Sequence, residues 1–208
     1  MWVVQKIVVI TIVVLAGVGA HNLVKFTSAK QLGQYLPYAA GLVYIFNPFF
    51  YTRLIAGQWM VLAGYALLPW AVLALWRFFA KPTKKTALIA GLWAGAMGLV
   101  SLHVVGIFAA LALVMAVAVG YSTWRKWWRY SLVIAGIWMA LNCLWLVPTL
   151  AGNSPASDVI NNINSYQLNA FATKPTVAGS VPLTTLLLHG FWADDQGRYD
   201  IPADVWLW

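Results

Sequence analysis

Residues 86–124 read TALIAGLWAGAMGLVSLHVVGIFAALALVMAVAVGYSTW, 39 residues without a charged side chain. Basic clusters close the run at both ends: Arg77, Lys81, Lys84 and Lys85 before it, Arg125, Lys126 and Arg129 after it. A bilayer core about 30 Å thick needs about 20 apolar residues of helix, with about 17 as a working minimum. Lys and Arg gather on the cytoplasmic side, so two basic flanks put both ends inside and make the number of crossings between them even. At a rise of about 1.5 Å per residue the run suffices for two short crossings. The expected turn is Ser101-Leu102-His103. One long tilted helix is the alternative, and it would strand one basic cluster outside.

Parity assigns the rest. Residues 59–76 end at Arg77 and travel inward, while residues 131–150 start beside Arg129 and emerge near Pro148, a residue suited to a helix end. Residues 36–50 lie between Lys25/Lys30 and the 59–76 helix, so they run outward. Asn47 precedes Pro48 there, which should end that helix. The first apolar run, about residues 7–20, then travels inward and leaves the amino terminus outside. The expected fold is all-α: a polytopic transmembrane helix bundle of about six crossings in residues 1–150, with Trp76, Trp124, Trp127 and Trp128 as an aromatic belt on the inner boundary.

An outside amino terminus puts Lys6 on the less favoured side. A secretory leader is one explanation, with Val18-Gly19-Ala20 as a small-residue cleavage site. That would leave Lys25 and Lys30 outside and make residues 36–50 re-entrant. The preferred expectation is a fragment that lacks the first helix and loop. Val205-Trp206-Leu207-Trp208, which look like the start of a further crossing over residues 205–208, agree with it. Between them, residues 151–204 form an external loop region, rich in Asn and carrying four prolines from Pro155 to Pro202. Its one apolar stretch, residues 181–188, is too short to span and reads as an interfacial or re-entrant helix ended by Gly190.

Composition agrees with the spans. Of 208 residues, 62% are hydrophobic and 9% charged, against about 25% charged in soluble domains. That excludes a soluble enzyme and a disordered chain, and the single cysteine, Cys143, excludes a disulfide scaffold. The net charge of +8 is unevenly placed: residues 1–157 hold eleven Lys and Arg and no Asp or Glu. All five acids (Asp158, Asp194, Asp195, Asp200, Asp204) come later. The cations form small clusters between apolar runs, whereas a nucleic-acid face needs them together. The expected partner is membrane lipid, not nucleic acid.

Residues suited to chemistry are few. His21, His103 and His189 are scattered and make no metal motif, and there is no Gly-rich phosphate loop. The lack of any acid before Asp158 argues against the carboxylate relay of a secondary transporter. His103, at the expected outer turn, is either a solvated capping residue or a hydrogen-bond donor facing an external cavity. Asp194-Asp195 are either solvated acids or a contact for a divalent cation or sugar hydroxyls. Asn142, inside an apolar span, needs a partner and reads as glue between helices, with Gly91, Gly95 and Gly98 allowing close packing. The most specific stretch runs from Asn47 to Trp59. It sets the guanidinium of Arg53, the phenol of Tyr51 and the amide of Gln58 at the outer boundary. Arg53 either snorkels to head groups or contacts the phosphate of a lipid-linked donor.

From about Ile10 to Leu150 the chain resembles the polytopic core of GT-C-type glycosyltransferase-like membrane proteins of bacteria and archaea. These include large membrane proteins labelled 6-pyruvoyl-tetrahydropterin synthase-related, a label that implies no such activity. The resemblance lies in Ala16-Gly17-Val18-Gly19-Ala20, a basic loop, Ala39-Ala40-Gly41-Leu42-Val43-Tyr44, the Asn47 to Trp59 segment, Gly64-Tyr65-Ala66-Leu67-Leu68-Pro69 and the hairpin with His103. It implies an enzyme of the prokaryotic plasma (inner) membrane that takes a sugar from a polyprenyl-phosphate-sugar donor on the external face. In that family an acid in the first external loop acts on the acceptor or binds metal. No acid precedes Asp158 here, so no catalytic residue is assigned. The rival expectation is a non-enzymatic scaffold or carrier subunit.

Overall fold

The computed structural model describes residues 2–28, 33–119, 124–152 and 181–182. Among them are seven α-helices and no strand: α1 (Trp2–Thr27), α2 (Leu36–Ile45), α3 (Pro48–Ile55), α4 (Trp59–Ala80), α5 (Lys84–Val100), α6 (Leu102–Val119) and α7 (Trp124–Leu150). The chain divides into two compact units, Met1–Phe46 with Trp59–Val147 and Asn47–Gln58 with Pro148–Trp208. The bundle belongs to the first unit, and α3 to the second.

Three helices are long and apolar enough to cross a membrane: Val3–Thr27 of α1, Trp59–Ala80 and Trp127–Leu150 of α7. The surfaces of the described helices reverse the order of a water-soluble protein. Leu144 is 83% exposed and Val117 74%, while Asn142 is 0% exposed. Apolar surface on that scale is stable in contact with hydrocarbon and costly in water. The all-helical membrane class expected from the sequence holds at that level.

One expected span, residues 36–50, comes out in pieces, and residues 86–124 divide at the expected turn. Residues 36–50 break at Asn47, leaving α2 with 10 residues and α3 with 8, each well short of the length of about 20 needed to span. The expected stop before Pro48 is thus real, and it divides the span instead of merely ending it. Residues 86–124 break at Ser101, whose extended backbone (φ −158°, ψ 110°) separates α5 from α6. Val104, Val105, Phe108, Ala112, Met115 and Ala116 make one stripe along α6 that packs on the α4–α5 core. A helix running straight on from α5 could not keep that contact over its length, so the chain turns back at Ser101.

Within the first unit, side-chain contacts give each helix its direction. His21 meets Tyr38 and Gly17 meets Ile45, so α2 runs antiparallel to α1. The Trp70 indole N–H donates to the Leu15 carbonyl at 3.0 Å, and the Arg77 guanidinium lies 4.9 Å from the Phe26 ring centre, so α4 runs parallel to α1. Gly64 faces Ser101 and Val104, Gly91 faces Ile134 and Ile137, and Gly98 faces Asn142. Hence α5 opposes α4, and α7 runs with α5. The Gly91, Gly95 and Gly98 surface is the close-packing face the sequence predicted.

This arrangement gathers cations at one end. Lys25 closes α1 and Arg77 closes α4, while Lys84 and Lys85 open α5. Trp127, from the start of α7, packs edge-on to Phe79 with centroids 5.5 Å apart. Helix dipoles favour Lys and Arg at C-termini and disfavour them at N-termini. Here they sit at both, as a membrane side would dictate and local helix preference would not.

Candidate functional site

The α3 segment is a small, self-capped device. Asn47 takes an extended conformation and its side-chain oxygen accepts from the Phe50 N–H at 2.9 Å, while Pro48 occupies the first turn, where no N–H is needed. At the other end Gly57 has φ +69°. Its N–H donates to the Leu54 carbonyl at 3.1 Å, and the Gln58 N–H donates to the Arg53 carbonyl at 3.0 Å. That pair of bonds is a Schellman closure, which needs the left-handed residue that glycine supplies without steric cost.

The closure brings Gln58 back over Arg53. The Arg53 Nη1 donates to Gln58 Oε1 at 2.9 Å, and the guanidinium carbon lies 5.1 Å from the centre of the Phe49 ring, one turn earlier. Both Arg53 and Gln58 are half-buried. A guanidinium held between an amide and an aromatic face has lost much of the rotamer freedom a surface arginine keeps. It is also in the last turn of α3, where the helix dipole favours a cation. A planar fork of donors held in this way suits a phosphate or carboxylate oxygen pair.

Of the residues singled out in the sequence, Arg53 and Gln58 are brought into direct contact. Tyr51 is exposed on α3, two positions from Arg53 and therefore about 200° around the helix. His103 lies in the first turn of α6, exposed, in the other unit. Asp194 and Asp195 lie outside the described residues, as do the rest of the 153–208 region save Val181 and Pro182. Among the described residues no three of His, Cys, Asp and Glu come together as a metal site would require.

The sequence reading missed a paired contact. The Tyr44 hydroxyl donates to the Tyr65 carbonyl and the Tyr65 hydroxyl donates to the Tyr44 carbonyl, both at 2.9 Å. Their rings stack at 4.1 Å with 9° between planes. The signal for it was present. Each tyrosine is followed four residues later by a proline, Pro48 and Pro69. Proline has no N–H for the carbonyl one turn back, and each hydroxyl fills the place that the other tyrosine's proline leaves open.

No family model, no curated protein and no solved structure matches this chain.

Proposed function

We propose that the chain is the membrane-embedded part of a GT-C-like glycosyltransferase of a prokaryotic plasma membrane, and that Arg53 holds the phosphate of a polyprenyl-phosphate-sugar donor on the external face. The observation that carries this reading is the fixed guanidinium. Arg53 is set between Gln58 and Phe49 on a helix whose two caps are built from its own residues. Charge distribution supports the sidedness: Arg53 is the only Lys or Arg between Lys30 and Arg77. Three helices are long and apolar enough to cross a membrane, and the alternating helix directions in the first unit are what the parity scheme of about six crossings requires. A polyprenyl phosphate presents its anion at head-group depth with its tail in hydrocarbon, so a cation at the outer boundary is the fitting receptor. Asp194 and Asp195 are the candidate carboxylates for a divalent cation or the sugar in this scheme, and Tyr51 and His103 are its further candidate contacts.

The test is donor binding by the protein in lipid nanodiscs, with polyprenyl-phosphate sugar titrated against Arg53→Lys and Arg53→Ala. Loss of a charge-assisted hydrogen bond costs about 1.5–3 kcal/mol, or roughly one to two decades in affinity. The expected result is a loss of that size for both variants at unchanged membrane insertion. A snorkelling arginine predicts that lysine serves as well. Unchanged binding in both variants would end the assignment.

A non-enzymatic scaffold is the second reading. It is favoured by one observation: no Asp or Glu occurs in residues 1–157, so the bundle brings no carboxylate of its own. Specific donor binding by wild type, lost in Arg53→Lys, would count against it.

A further inference from the structure

The antiparallel pair α1 and α2 crosses at two glycines so closely that a Cβ on Gly41 would stand 2.8 Å from the Gly17 carbonyl oxygen. Beside that crossing runs an open groove of about 540 Å³. Its walls are Val14, Val18, Leu42 and Ile45, and its only polar lining residues are His21 and Tyr38, together at one end. The two rings meet edge to face at 4.7 Å. One turn further along the same face of α1 stands Lys25, exposed. Neither His21, Tyr38 nor Lys25 makes a side-chain hydrogen bond or ion pair to any described residue, and the sequence holds no carboxylate before Asp158 that could neutralise Lys25.

We infer that this groove is a binding site for one anionic phospholipid of the cytoplasmic leaflet. Its acyl chain lies along Val14, Val18, Leu42 and Ile45, and its phosphate is held by Lys25, His21 and the Tyr38 hydroxyl. Complementarity selects the occupant. The walls offer only hydrocarbon, the end offers donors and a cation, and the α1 C-terminus lies at the basic end of the bundle. A second protein helix would leave the three polar tips in apolar surroundings, where unsatisfied groups are costly. A zwitterionic lipid brings its own cation to compete with Lys25. The inference needs the chain to lie in a bilayer and is independent of the glycosyltransferase reading, since the Arg53 variants leave it untouched.

The experiment reconstitutes the full chain in vesicles of equal parts phosphatidylglycerol and phosphatidylcholine with matched acyl chains. Native mass spectrometry then counts the lipid retained after mild detergent extraction. Wild type should keep phosphatidylglycerol over phosphatidylcholine by about fivefold, the weight of one cation at an anionic membrane surface. Lys25→Gln with His21→Gln should bring the ratio near one. Leu42→Trp, which fills the groove without touching its polar end, should lower retention of both lipids. Arg129→Gln, a cation at the same end of the bundle and off the groove, should leave the ratio unchanged. All of these side chains are half-buried or exposed, and size-exclusion profiles check folding. The proposal fails if wild type shows no preference, if the preference survives the double variant, or if Arg129→Gln erases it equally. It also fails if Val18→Cys in a Cys143→Ser background cross-links to a second copy of the chain and not to lipid.

Discussion

Asn142 shows what a single polar side chain does in an apolar bundle. It is fully buried, and its Nδ2 donates to the Gly95 carbonyl at 3.2 Å and to the Trp138 carbonyl at 2.8 Å, while its Oδ1 accepts from the Trp145 indole at 2.8 Å. Both ends of the amide are therefore satisfied, and α7 is joined to α5. The join requires a bare backbone opposite. A Cβ on Gly98 would stand 2.5 Å from Asn142 Oδ1, and the nearest atoms around it all belong to Asn142. Gly98→Ala should therefore destabilise the protein by about 1–3 kcal/mol, the usual cost of overpacking. In an Asn142→Ala background the same substitution should cost much less, because the obstructing atoms are gone. A double-mutant cycle of unfolding free energies in mixed micelles measures this coupling. Additive effects would show that the contact does not set the spacing of α5 and α7.

At the scale of elements, prolines decide where helices change course and tyrosines repair what they leave. Pro69 is inside α4, and Pro48 opens α3 just after α2 ends. In each case a carbonyl loses its donor one turn back, and in hydrocarbon no water replaces it. The Tyr44–Tyr65 pair supplies both missing donors and clasps α2 to α4 by the same two bonds. Hydrogen bonds between membrane helices average about 0.6 kcal/mol and reach about 1.7 kcal/mol. Tyr44→Phe should fall toward the upper part of that range, because the Tyr65 carbonyl then lacks both the clasp and a helical donor. Pro69→Ala restores an N–H one turn along, so Tyr44→Phe should cost less in the Pro69→Ala background than in wild type. Equal costs in the two backgrounds, read from thermal unfolding in nanodiscs, would refute the repair. The same logic explains the divided 36–50 span: proline at residue 48 ends one hydrogen-bond ladder, and Asn47 caps the next.

For the whole molecule, the gathering of basic helix ends is the most consequential feature. The turn between α4 and α5 is closed by a capping box, in which Thr83 and Thr86 exchange side-chain to backbone hydrogen bonds at 3.0 and 3.2 Å. This puts Arg77, Lys81, Lys84 and Lys85 in one place, with Ser101 and Gly64 toward the opposite end. Under the proposed topology, the positive-inside rule predicts a cytoplasmic Thr83 end and an external His103 end. In a Cys143→Ser background, Thr83→Cys should resist an impermeant thiol reagent added to intact cells, whereas His103→Cys and Ser157→Cys should label. Labelling at position 83 from outside would invert the molecule and remove the basis for placing Arg53 on the external face.

The sequence alone determined that this is an apolar helical chain that turns at Ser101 and breaks at Asn47-Pro48. Those properties follow from local composition: runs of uncharged residues, prolines without an N–H, and cations that mark run boundaries. It also singled out Asn142 and the α5 glycines, because a polar group and bare backbone in hydrocarbon have few uses. It did not show that two Tyr-to-Pro spacings, 21 residues apart along the chain, face one another, since the matching of hydroxyl to carbonyl depends on how α2 packs on α4. Nor did it show that Gln58 folds back onto Arg53, or that His21, Tyr38 and Lys25 end one groove. Contacts of that kind are set by helix crossing and cap geometry, which composition does not encode residue by residue; only the tertiary structure decided them.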